Sequence, residues 1–118
     1  MVVVMGINQL KPVEIIRDEI GAWTHPDYYA YLDKYHADEE LISKEDWNEM
    51  FRYFNVETVI FFLESSVSSD DWEIMMDECN ISKWNPIAPN GFFLIDIHFG
   101  EDDAYALFAR EIREVEVA

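Results

Sequence analysis

From Ser43 to Phe54 apolar residues recur at helical intervals: Trp47, Met50, Phe51 and Phe54 fall on one face, and Glu45, Asn48, Glu49 and Arg52 on the other. Ser43-Lys-Glu-Asp46-Trp47 has a counterpart in Ser68-Ser-Asp-Asp71-Trp72, which leads into Trp72, Met75, Met76 and Cys79 at the same spacing. Each serine is placed to accept a hydrogen bond from the amide three residues on. Each aspartate lies in a first turn, where the partial positive charge of a helix start favours a carboxylate. Both pentapeptides therefore predict helix N-termini. Pro26 predicts the first residue of a further helix, because its fixed φ suits that position and the tyrosines at 28, 31 and 35 keep helical spacing.

Strand patterns fill the rest. Val2 to Ile7 and Val13 to Ile16 are β-branched and apolar on either side of Lys11-Pro12, which breaks any continuous element, so one or two short strands are expected there. Val56 to Glu64 is apolar enough to predict a central strand of a sheet. Trp84 to Gly91 is rich in turn residues, and Phe92 to Phe99 then alternates, with Phe93, Ile95, Ile97 and Phe99 expected on one core face. Gly100 to Asp103 reads as a hairpin loop into a last strand from Ala104 to Val115. The sum predicts one α+β domain over residues 1–118, a meander of about four antiparallel strands with two or three short helices packed on one face.

Half of the 118 residues are apolar, with four Trp, six Tyr and eight Phe, so a packed core is available. Charge changes the picture more. Eight Lys and Arg stand against 25 Asp and Glu, a formal net charge of −17. Such a surface repels nucleic-acid phosphates and anionic lipid, and the cations are scattered, which argues against direct nucleic-acid or membrane binding. The single Cys79 excludes an intramolecular disulfide framework and any multi-cysteine metal site. Met1 to Met5 is too short for a signal core, and no stretch reaches membrane-spanning length, so a cytoplasmic location is expected.

No motif predicts catalysis. His36 with Asp33, Asp38, Glu39 and Glu40, and His98 with Glu101, Asp102 and Asp103, carry ligand chemistry for Zn, Mn or Ni, but sequence proximity to acids is expected by chance in a chain this acidic. They read as a solvated acidic turn and a strand end. Cys79 follows two methionines on an apolar face and reads as a buried thiol without a cationic neighbour. A Gly-rich phosphate loop, a nucleophile elbow and an HExxH helix are all missing from the sequence, and the four tryptophans read as core. The expectation is a protein without cofactor, metal or enzymatic activity.

The words Arg17-Asp-Glu-Ile-Gly-Ala-Trp-Thr-His-Pro-Asp-Tyr28, Cys79-Asn-Ile-Ser-Lys-Trp-Asn-Pro86 and Gly91-Phe-Phe-Leu-Ile-Asp-Ile-His98 resemble small acidic proteins from accessory regions of lambdoid prophages. The resemblance implies a phage or prophage origin. It implies no chemistry. It favours a role in binding and blocking a host or defence enzyme.

Duplex DNA carries one charge per about 1.7 Å of axis, so a charge of this size corresponds to about 29 Å of duplex, close to the roughly 35 Å width of a compact chain of this length. The functional expectation is accordingly a non-enzymatic inhibitor that mimics DNA and occupies the basic groove of a host or defence protein. Its partner-binding carboxylates would be Glu45, Asp46 and Glu49 on the first capped helix, Asp70, Asp71, Glu73, Asp77 and Glu78 on the second, and Glu101, Asp102 and Asp103 in the hairpin loop. The alternative is an interaction module without mimicry, docking on another protein or on itself as a homodimer through an aromatic patch of Tyr28, Tyr31 and Tyr35.

Overall fold

The computed structural model of the protein describes residues 10–36, 43–100 and 102–112. Along the chain the elements are β1 (Trp23–Thr24), α1 (Pro26–His36), α2 (Lys44–Phe54), β2 (Val56–Phe62), α3 (Leu63–Ser66), α4 (Ser69–Glu78), β3 (Phe93–Phe99) and β4 (Ala104–Glu111). The strands form one antiparallel sheet in the order β1-β3-β4-β2. This is the expected α+β class. It is not a meander, because β2 passes over β3 to pair with β4.

Residues opposite one another in a ladder share a face of the sheet, which sorts the core into two layers. Leu107 and Ala109 of β4 pack with Leu10, Tyr28, Tyr31, Met50, Phe54, Val56 and Ile95. Ala104, Ala106 and Phe108 pack on the other side with Leu63, Ile81, Trp84 and Ile97, joined by Trp72, Met75 and Met76. Thus α1 and α2 cover one face, and α3, α4 and the loop after α4 cover the other; the helices expected on a single face are divided between two. Because β4 is buried on both sides, its apolar run needs no alternation.

A β-bulge explains the departure in β3. Leu94 pairs with Phe108 and Asp96 with Leu107, leaving Ile95 as the extra residue. Phe93 and Ile95 therefore point to the α1–α2 layer, and Ile97 and Phe99 to the α4 layer. The four were expected to share one face. The expected central position of Val56 to Glu64 is likewise corrected: β2 is an edge strand, and it ends at Phe62 before α3. Its apolar character reflects half-burial beneath α2 on one side and against Phe108 on the other. Val13, Ile15 and Ile16 are exposed and lie outside regular structure. The expected strand at Val2 to Ile7 and the end of the last strand beyond residue 112 lie outside the described residues.

Both serine caps form as their spacing predicts, with Asp46 N–H donating to Ser43 Oγ and Asp71 N–H to Ser68 Oγ, each at 3.1 Å. Pro26 opens α1. At their ends α2 and α4 turn into the left-handed region at Asn55 (φ 56°) and Cys79 (φ 50°). There the amides of Asn55 and Cys79 reach back to the carbonyls of Arg52 and Met76.

A clasp ties the start of the chain to the loop after α4. Arg17 donates from Nε to the Gly21 carbonyl at 2.7 Å, from Nη2 to the Ile81 carbonyl at 2.7 Å, and from Nη1 to the Trp84 carbonyl at 2.8 Å and Asn85 Oδ1 at 3.1 Å. Burial pushes the guanidinium's pKa down, and the neighbouring charge of Asp18 opposes that shift. Asp18 Oδ1 in turn accepts from the amides of Ile20 and Ala22, shaping the turn in which Gly21 holds a φ of +90°.

Candidate functional site

The acidic surface separates into parts. Glu45, Asp46 and Glu49 stand on α2 over one face of the sheet, and Asp70, Asp71, Glu73, Asp77 and Glu78 stand on α4 over the other. All are exposed except Asp46, which is half-buried. The sheet brings the two helix starts to the same end. Trp47 shares a groove with Ile60 and Tyr105, near the finish of β2 and the beginning of β4, and Trp72 of α4 donates from Nε1 to Asp103 Oδ1 at 2.9 Å, next to Ala104. Among the described residues only Glu57 is in an ion pair, with Arg110 at 2.6 Å. No other carboxylate there is within ion-pair distance of a cation.

Asp103 differs from the other acids of the expected set. Its Oδ1 accepts from the Trp72 indole, from Glu64 N–H at 3.1 Å and from Ala104 N–H at 2.8 Å. Three donors converge on one half-buried oxygen, so this carboxylate joins α3, α4 and β4. Asp102 is exposed, and Glu101 lies outside the described residues.

The aromatic patch expected at Tyr28, Tyr31 and Tyr35 does not exist as a surface. Tyr28 is 1% exposed and Tyr31 8%, whereas Tyr35 is half exposed. Helical spacing placed the three in one stripe, and that stripe faces the core. Tyr31 packs at a tilt against the rings of Tyr35, Tyr53 and Phe54 at centroid distances of 4.7, 4.8 and 5.4 Å. Burial, followed by the negative charge of Glu49, pushes its phenol pKa up.

Exposed apolar side chains are scattered, Ile16, Ile74 and Ile87 among them, and two, Ile60 and Phe62, lie on one face of β2 at 43% and 44% exposed. A groove of about 320 Å³ runs beside them between α2 and the sheet, lined by Trp47, Phe51, Thr58, Ile60, Tyr105 and Leu107. Its walls are almost wholly carbon. The sequence hid it because a run such as Val56 to Glu64 reads as buried whether or not a neighbour covers it.

Beneath the groove lies a polar cluster absent from the sequence reading. Asp96, 5% exposed, accepts from Thr24 Oγ1 at 3.0 Å and from Tyr105 Oη at 2.9 Å. Burial raises the Asp96 pKa, while the two hydroxyl donors and His98 pull it back. Tyr28 Oη is buried without a hydrogen-bond partner among the described residues, and burial beside Asp96 raises its pKa. An aspartate between two isoleucines in a strand was the available signal. Such a residue needs donors, and the bulge at Ile95 turns it toward them.

His25, fully buried, was also missed. Its Nδ1 accepts from Asp27 N–H at 3.1 Å and its Nε2 lies 2.6 Å from the Lys11 carbonyl. A carbonyl only accepts and an amide only donates, so the ring is the neutral tautomer protonated at Nε2. It caps α1. Cys79 is exposed at the α4 C-cap rather than buried among methionines. His98 is exposed on β3, as expected for a solvent-facing position, and Nδ1 accepts from Phe99 N–H at 2.9 Å. The tryptophans pack into the two layers as expected.

Among the described residues no three His, Cys, Asp or Glu side chains converge as metal ligands. The side chain of His36 and residues 38–40 lie outside them. No helix there is long and apolar enough to cross a membrane. The chain matches no family model, no curated protein and no solved structure.

Proposed function

We propose that the protein is a non-enzymatic anionic binding module that blocks the basic groove of a nucleic-acid-handling enzyme by standing in for a polyanion. The observation that carries this reading is the set of exposed carboxylates on α2 and α4, unneutralised among the described residues, in a chain of net charge −17. Their division between two faces suits a cleft that closes around its ligand more than a flat contact. The two helix starts at one end of the sheet concentrate the charge of Glu45, Asp46, Asp70 and Asp71 where such a cleft would engage first.

A phage or prophage origin, a defence enzyme as target and a cytoplasmic site of action belong to the same reading and rest on the word matches and the absence of disulfide chemistry. Two copies of the chain repel one another, which weighs against a homodimer. The experiment is capture of the partner from host extract by the immobilised protein at low and high salt, followed by competition with duplex DNA. Binding is expected to fall steeply with salt and to be displaced by DNA. Salt-insensitive binding that ignores DNA overturns the reading. Replacing Glu45, Asp46 and Glu49 by their amides, and separately Asp70, Asp71 and Glu73, should weaken capture in both cases.

A further inference from the structure

The long free edge of the sheet, among the described residues, is β2. Among the described residues no chain pairs with its outer side, and all seven of its residues are laddered to β4 on the inner side alone. Natural sheets guard such edges with charge, proline or a bulge, because unpaired amides and carbonyls recruit another strand. Here β2 is regular against β4 and carries no proline; its one charged side chain, Glu57, is paired inward with Arg110 of β4, and Ile60 and Phe62 are shown to solvent.

We infer that β2 is a docking edge for an extended segment of a partner protein, one that alternates apolar and basic side chains. Main-chain hydrogen bonds to β2 would align the segment. On the face shared by Thr58, Ile60 and Phe62, its side chains would lie beside the apolar groove under Trp47 and Phe51. The sign of the flanking charge follows from the surroundings. Glu45 and Asp46 open α2 one turn from that groove, and Glu64 follows two residues after Phe62, with no cation paired to any of them among the described residues. A basic segment is drawn to this rim, and a second acidic copy is repelled.

The inference rests on the proposed anionic reading for the charge of its partner, and on the sheet edge for the geometry. The test selects binders from a random library of displayed nine-residue peptides on the immobilised full chain at low salt, and follows the best binder by backbone amide hydrogen exchange. Enriched peptides are expected to alternate apolar residues with Lys or Arg. Protection should rise in residues 56–62 and not in α4. Ile60→Lys, folded by circular dichroism, should weaken binding about tenfold, as loss of an interface anchor does. The same peptide N-methylated at every second residue should fail to bind.

Basic peptides that enrich without alternation and protect α2 and α4 evenly would overturn the edge and leave the polyanion reading standing. Alternating apolar peptides without basic residues would overturn the charge and keep the edge. Protection of residues 56–62 that rises with protein concentration alone would assign the edge to a second copy, and no enrichment at all would overturn the inference outright.

Discussion

The guanidinium of Arg17 donates to the carbonyl of Ile81 at 2.7 Å across a sequence separation of 64 residues. It also holds Trp84 and Asn85, so the stretch around residue 17 and the loop after α4 meet in one clasp. Arg17→Lys keeps the charge and gives up the fork that reaches several acceptors at once. The variant should lose about 2 to 3 kcal/mol in urea unfolding, as buried carbonyls go unpaired. A loss under about half a kilocalorie would show that solvent replaces the clasp.

Gly21 faces Ile81 and Ser82 across the same contact. A Cβ there would lie 2.5 Å from Ser82 N and 2.7 Å from the Ile81 carbonyl carbon, and φ is +90°. Gly21→Ala should therefore cost about 2 to 4 kcal/mol, since backbone has to move and the conformation is strained for any side chain. Thermal denaturation checks it, with Gly91→Ala as the comparison: there the nearest atom is the flexible Arg110 Cδ at 3.3 Å, so any excess loss in Gly21→Ala reports the clash.

Asp103 separates a structural carboxylate from one that awaits a partner. Asp103→Ala removes the acceptor of three donors and should cost about 2 to 3 kcal/mol, with Asp103→Asn recovering much of it through the retained oxygen. Asp102→Ala, at an exposed neighbour, should leave stability unchanged. Equal stability of Asp102→Ala and Asp103→Ala would dissolve the distinction.

Burial holds the Asp96 carboxyl above the ordinary value of 3.8, so over the interval between its unfolded and folded pKa the native state binds more protons than the unfolded chain. Stability linked to this group is full below the ordinary value and is lost as pH rises through the folded one. Asp96→Asn cannot titrate, so the difference in unfolding free energy, wild type minus variant, should decline as pH rises from about 4. Parallel curves would refute the shift. In the same pocket Tyr28→Phe should be neutral or gain up to about 1 kcal/mol, because it deletes a buried hydroxyl that has no partner among the described residues.

Much of this fold was legible because local chemistry set it. The serines at 43 and 68 and the proline at 26 fix three helix starts within a few residues of chain, and tertiary packing did not override them. Glu45, Glu49, Asp70, Asp71, Glu73, Asp77 and Glu78 are exposed as helix periodicity foretold. What failed depended on neighbours distant in sequence. Whether Val56 to Phe62 is central or marginal turns on where β4 lies, and the face of Ile97 turns on one unpaired residue at 95. Tyr28 and Tyr31 share a stripe with Tyr35, but only packing shows that the stripe points inward at its start. Asp96, Arg17 and His25 were invisible as partners because their acceptors and donors lie in other elements.

The two margins of the sheet are unequal. On one side β1 contributes two residues, and the His25 amide closes on the Ile95 carbonyl at 2.7 Å beside it; on the other, β2 offers seven. Among the described residues, growth by strand addition thus has a single long margin open to it. A second copy could match β2 only with its own β2, since among the described residues the other margin offers two residues; such a self-complementary contact closes as a pair and does not extend into a filament.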